Sequence, residues 1–408
     1  MANTFATPLE ITRRFLKVLH SRLNITKNIS REYEGQFGDA QAGFEGQKIG
    51  PSLQIRMPVD TSVRTVWAMS QQNVTESYKT LTIDTVRGID LPFDDSDMAL
   101  SIDDFAARYL ETPAKRLAAK IEQVVGEYIY KKIYNVDYVA SSYARPTTIS
   151  TYLDAAARLK ENLIPEGDEI NVIIGPRAEA AIVAGLAGQY NPQGNISEMY
   201  EKGQMAKAGG LDWYMSQVLP SLTTGSRTNT SPVVATFSTT TPGQIGITGG
   251  TTSGTYVVGD TFTIANVYAV NYETKQTQPT LQKFVVTAAV TASGGAVTLS
   301  ISPSIVATGP TQNVSAVPTG TPAVVFDGAA SSVYQNALLL HKDSFAFAAC
   351  PLYKPKGLDM AETVTMENIS IRFLRGYDIA NARLLSRMDV FFGVTALREQ
   401  WASRIIHV

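Results

Sequence analysis

The sequence predicts an α+β fold: a framework of helices and strands interrupted by a small all-β barrel or sandwich between residues 221 and 335. Three observations predict it. Helical periodicity dominates several stretches before residue 190. Charge then almost vanishes between Ser221 and Tyr334, where Arg227, Asp260, Glu273, Lys275, Lys283 and Asp327 are the only charged residues. After Tyr334 the mixed composition returns, so the α/β sequence resumes where it stopped. A chain of 408 residues has room for two or three cores.

The first element is an amphipathic helix. Thr7 suits an N-cap, Pro8 the first helical position, and Glu10 completes a capping box. Ile11, Phe15, Val18, Leu19 and Leu23 follow at helical spacing, with Arg13, Arg14, Lys17 and Arg22 elsewhere on its surface. Such a helix packs on its own domain or docks on a partner. The Gly-rich, polar stretch from Tyr33 to Pro51 suits an arm on a linker, and Arg13, Arg14 and Lys17 are its candidate contacts with a scaffold or DNA. Next, Leu53–Met57 and Leu81–Val86 alternate apolar and polar residues around a polar segment, Asp60–Ser77. This is a long hairpin with little to bury its tip, and an isolated hairpin is marginal in water. Asp60, Arg64, Trp67 and Tyr78 are therefore candidate contacts with a neighbouring subunit.

Asp94, Asp95, Asp97, Asp103 and Asp104 lack the Gly and terminal Glu of a calcium loop. Ser101 with Asp104 instead opens a long helix, whose period runs through Leu117, Ile121, Val125 and Ile133 to about Tyr134. Leu153–Leu163 reads as a helix, Ile170–Ile174 as a buried strand, Pro176–Leu186 as an Ala-rich helix, and Ile196–Glu201 as a further short one. Within the charge-poor stretch, Val297, Leu299 and Ile301 alternate with polar residues after a Gly294-Gly295 hairpin turn. Phe262–Ile264 and Val267–Val270 add further β sequence. Beyond it, Ala337–Cys350, Thr363–Arg372 and Met388–Val394 read as strands.

Composition narrows the function. Lys and Arg total 35 against 37 acidic residues, so net charge is -2 and no basic surplus marks a dedicated nucleic-acid binder. The one cysteine, Cys350, lies in an apolar run and reads as core filler. No secretory signal and no run of about 20 apolar residues is visible, which predicts a chain made in a reducing cytoplasm without a membrane span. His20, His341 and His407 are too scattered for a metal site, and no glycine loop has the spacing of a phosphate cradle. No cofactor is expected. His341, Asp343 and Ser344 bring hydrolase residue types together, but strand neighbours point to opposite faces. A Ser/His hydrolase therefore ranks below a secreted or surface-layer β-rich adhesin, and both rank below a structural role.

The order of parts carries a resemblance. Ile196–Gly203, Gly209–Asp212 and Leu219–Leu222 lead into the β segment, and Gly259–Ile264 lies within it. His341–Ala346 and Gly393–Trp401 close the chain. These stretches resemble the tailed-bacteriophage major capsid proteins of the Hong Kong 97 fold, and within them the coat-protein family of the short-tailed Salmonella phages. The resemblance implies an N-terminal arm (1–50), an extended loop (51–93), a spine helix with peripheral domain (94–149, the helix about 101–137), and an axial domain (150–220). An inserted β-domain (221–335) and a return through axial and peripheral strands (336–408) follow. It implies a non-enzymatic subunit of hexamers and pentamers in an icosahedral virion capsid, assembled in a bacterial cytoplasm. The implied partners are a separate scaffolding protein, a portal protein at one vertex and weakly held double-stranded DNA. Some relatives cross-link lysine to asparagine, for which Lys79 and Asn368 are the residue types at hand, but inserted-domain relatives do not, so no cross-link is expected.

Overall fold

The computed structural model describes residues 8–33, 50–59, 61, 67, 69, 76–94, 111–139, 143–186, 207–227, 232–355, 357–358, 360–366, 369–379, 381 and 383–408. They fall into two compact units. One combines residues 1–56, 78–125 and 345–397; the other combines 57–77, 126–344 and 398–408. The mixed α+β class is the one observed.

In the first unit the long strand Arg383–Ala396 organises a five-stranded sheet, pairing antiparallel with Ile369–Asp378, Phe345–Ala349 and Thr85–Asp94. The helix Pro8–His20 buries Phe15, Leu16 and Leu19 and packs on the hairpin Met360–Met366/Ile369–Asp378. The chain after it stays fixed: Leu23, Ile25 and Ile29 are buried, and Ser30 bridges to the Phe345–Ala349 strand. The helix with the apolar face therefore packs within its own unit. A hairpin is present, with Ser52–Arg56 antiparallel to Tyr78–Thr82, but the predicted strand Leu81–Val86 is divided: its end belongs to Thr85–Asp94 in the five-stranded sheet.

The second unit holds an α/β sheet and a barrel. In the sheet, Val333–His341 lies between Ala402–His407 and Ile170–Ile174, and the latter pairs in parallel with Leu211–Met215. The helices Ser150–Glu161 and Pro176–Leu186 bury Tyr152, Leu159 and Ile182 against Val172, Leu339 and Trp401. Ser221–Thr223 pairs with Val333–Gln335, so the chain leaves and re-enters this sheet through adjacent strands. Between them a six-stranded sheet runs in the order Val324–Phe326, Thr261–Val270, Thr277–Val286, Val297–Ser302, Gln244–Thr248 and Val233–Phe237. Its edges meet: the Val324 amide donates to the Pro232 carbonyl at 2.8 Å and Val234 to Pro322 at 3.0 Å, which closes the barrel. Phe262, Phe284, Leu299 and Phe326 fill a core separate from that of the α/β sheet. Gly294 and Gly295, at φ +62° and +78°, form the expected two-residue turn.

Three further predicted elements are corrected. The long helix is Glu111–Lys132, and Asn135–Asp137 is a strand in parallel with Ser403–Ile405, because burying Val136 in that sheet outweighs helical periodicity. Ala337–Cys350 is two strands in different sheets, split by a one-turn helix where Lys342, Asp343 and Ser344 interrupt the apolar pattern. Thr363–Arg372 straddles a hairpin between Met360–Met366 and Ile369–Asp378. The proposed Ser101 cap and the short helix 196–201 lie outside the described residues.

Candidate assembly surfaces

The helix Pro8–His20 divides its residues by chemistry. Phe15, Leu16 and Leu19 face the core, while Arg13, Arg14 and Lys17 are exposed on the opposite side. The arrangement offers three cations within two turns of one helix, a surface suited to a polyanion or an acidic protein. Its anchor was not visible in the sequence. The long helix carries Glu122, a buried carboxylate that accepts the Ile25 amide at 2.7 Å, the Thr26 amide at 2.9 Å and the Thr26 hydroxyl at 2.7 Å. Burial pushes its pKa up, against the lowering effect of those hydrogen bonds.

Between the hairpin strands, Trp67 and Met69 present apolar side chains to solvent. Trp67 is 101% exposed and Met69 79%, against an average expectation that such side chains are buried. Tyr78, at the start of the second strand, is 45% exposed. Asp60 and Arg64 lie outside the described residues, as does Asn368, so Lys79 has no described cross-linking partner.

Where hydrolase residue types meet, the geometry is that of a turn. The Ser344 hydroxyl is buried and donates to the His341 carbonyl at 2.6 Å, which caps the one-turn helix. His341 Nδ1 accepts the Asp343 amide at 3.2 Å, leaving Nε2 to donate to Asp168 at 3.1 Å. The imidazole thus has no lone pair aimed at Ser344, and no nucleophile–base pair forms. His20, His341 and His407 do not converge on a metal site, and no described cluster of His, Cys, Asp or Glu could hold a metal. Cys350 is half-buried, with its thiol 3.7 Å from the Pro351 carbonyl. No helix among the described residues is long and apolar enough to cross a membrane.

A second buried polar group was missed by sequence reasoning. Arg227 and Asp260, both with fully buried side chains, pair at 2.7 Å, and Arg227 also donates to the Asp327 carbonyl at 2.6 Å. Asp327 in turn accepts from Thr261 at 2.7 Å and pairs with Lys283 at 3.2 Å. The available signal was their isolation: charges this sparse in an apolar, Thr/Ser-rich stretch are placed for partners.

No curated protein matches the chain. Solved structures similar to it include Mycobacterium phage Che8, at 12% identity and TM-score 0.47 over 94% of this chain and 91% of that one. The capsid of Cyanophage P-SCSP1u has 12% identity and TM-score 0.47 over 88% and 84%. A virus-like particle from Pyrococcus furiosus has 7% identity and TM-score 0.41 over 97% and 98%. A family model described as P22 coat protein, gene protein 5, matches residues 15–402. The chain therefore belongs to the P22 coat protein family: it is a structural major capsid protein of a bacteriophage shell and not an enzyme.

Proposed function

We propose that this coat subunit closes into an icosahedral shell of hexamers and pentamers around double-stranded DNA, in the Hong Kong 97 manner, and that its extended loop makes the contact between neighbours. The observation that carries the loop's role is the full exposure of Trp67 beside Met69. A tryptophan in water is a loss that a partner surface reverses, and tryptophan is enriched among residues that dominate interfaces. Asp60, Arg64 and Tyr78 complete the proposed contact, and ring closure makes such heterologous contacts cooperative. The subunit would be a virion component assembled in the bacterial cytoplasm, with a portal protein at one vertex.

A separate scaffolding protein is the expected assembly partner. Arg13, Arg14 and Lys17 are the proposed contact with the scaffold or, weakly, with packaged DNA. The test is assembly of the purified chain with and without the scaffolding protein from the same phage. Uniform closed shells are expected only with it; uniform closed shells from the coat chain alone at every concentration overturn this partner.

Residues 221–335 are proposed as an inserted domain on the outer surface, within the arm, loop, spine, peripheral and axial divisions given above. Its cations support the position. Arg227 is buried in an ion pair, Lys283 pairs with Asp327, and Lys275 donates to the Pro310 carbonyl at 2.5 Å, which leaves little positive charge to face DNA. Expressed alone, residues 221–335 should melt cooperatively with a β-type circular dichroism spectrum; a random-coil spectrum removes the claim of autonomy.

A further inference from the structure

The barrel meets the α/β part of the same unit through a few polar contacts of unequal depth. The Ser302 hydroxyl donates to Glu399 at 2.7 Å, the Tyr134 and Tyr272 hydroxyls lie 3.5 Å apart, and Lys283 sits 5.0 Å over the Tyr138 ring. The contact made by Arg404 is different. Arg404, from the Ala402–His407 strand of the α/β sheet, is 1% exposed and donates through Nη2 to the Gly259 carbonyl in the barrel. Its Nε and Nη1 have no protein partner among the described residues, and its guanidinium lies 6.0 Å from the Tyr130 ring. A cation held this deep is costly unless its position matters, and burial pushes its pKa down to about 10.

The turn it grips is itself well determined. Asp260 accepts the Val257 amide at 3.1 Å and the Gly225 amide at 3.3 Å, while its carboxylate pairs with Arg227. Gly259, at φ +99°, comes so close to the last turns of the long helix that a Cβ there would meet the Lys131 backbone and the Tyr130 ring at 3.6 Å. The Gly259 and Val286 amides tie this turn to the barrel sheet through the Val286 and Asp260 carbonyls, at 3.0 and 2.8 Å. One side chain from the α/β sheet thus reaches a turn that is rigid with the barrel.

We propose that Arg404 is a positioning residue that clamps the Val257–Asp260 turn and fixes the orientation of the barrel on the α/β sheet of its subunit. This rests on the barrel being a self-contained element, which the experiment checks separately. Hydrogen exchange of the full chain compares the natural protein with Arg404→Met and Arg404→Lys. In the Met variant the Gly259 and Asp260 amides should exchange at least about tenfold faster, with Phe284 and Leu299 in the barrel, and Val172 and Leu339 in the sheet, protected as before. The Lys variant, which keeps a donor, should show a smaller increase. Unchanged Gly259 and Asp260 exchange in the Met variant overturns the clamp. Loss of protection at Phe284 and Leu299 with Val172 and Leu339 intact instead overturns the barrel as a self-contained element. If the Met variant does not fold, the Lys variant decides: faster Gly259 exchange with both cores intact supports the clamp, and no change overturns it.

Discussion

Glu122 shows how one buried carboxylate can hold a segment that the sequence presents as loosely attached. It satisfies two backbone amides and a hydroxyl from Ile25 and Thr26, nearly a hundred positions earlier in the chain. Glu122→Ala should destabilise the protein by about 2–4 kcal/mol, since those buried donors lose their acceptor, and urea denaturation measures it. The pH dependence has a definite sign. Burial raises the folded-state pKa above 4.5, so this group's contribution is full below that value and is lost as pH rises through the folded pKa. The stability gap between the natural chain and Glu122→Gln should therefore narrow as pH rises above 4.5. His407 runs the other way. Burial lowers its pKa below 6.5, so the unfolded chain binds the proton more readily and stability is lost as pH falls through 6.5. His407→Gln should flatten the fall in melting temperature on acidification. Neither residue's role was legible beforehand, because a sequence shows residue types while these effects depend on partners brought in from distant positions.

At the scale of elements, legibility followed the period of the pattern. Val297, Leu299 and Ile301 are buried and Thr298 is exposed, as strict alternation requires, and the glycine pair supplies the positive φ angles of the turn. The helix after Pro8 and the strand Ile170–Ile174 were legible for the same reason: one burying a stripe, the other nearly every side chain. What failed was the placing of breaks between strands of different sheets. Lys342, Asp343 and Ser344 interrupt the apolar pattern between Val333–His341 and Phe345–Ala349, but it is tertiary pairing that sends the two strands to different sheets. Trp67 and Arg13 were named from the sequence by type and setting, whereas Arg404, which acts within the subunit, carries no local pattern that marks it. The barrel core gives a direct check on the element account. Phe284 packs its ring at a tilt 5.7 Å from Phe262 and is fully buried, so Phe284→Ala should cost about 3–5 kcal/mol in the melting of the full chain.

For the whole molecule, the account separates what holds a subunit together from what joins subunits. The α/β sheet and the barrel each have a core of their own, and Trp67 contributes to neither. Trp67→Ala should then leave monomer stability within about 0.5 kcal/mol of the natural value. It should also raise the concentration needed for assembly, which light scattering follows. That this chain builds shells is checked by negative-stain electron microscopy of the purified natural protein across a concentration series, with and without its scaffolding protein. Curved lattices in the form of shells, tubes or spirals are expected above a threshold concentration, and uniform closed particles when scaffold is present. Dispersed monomers at every concentration under both conditions would contradict shell building.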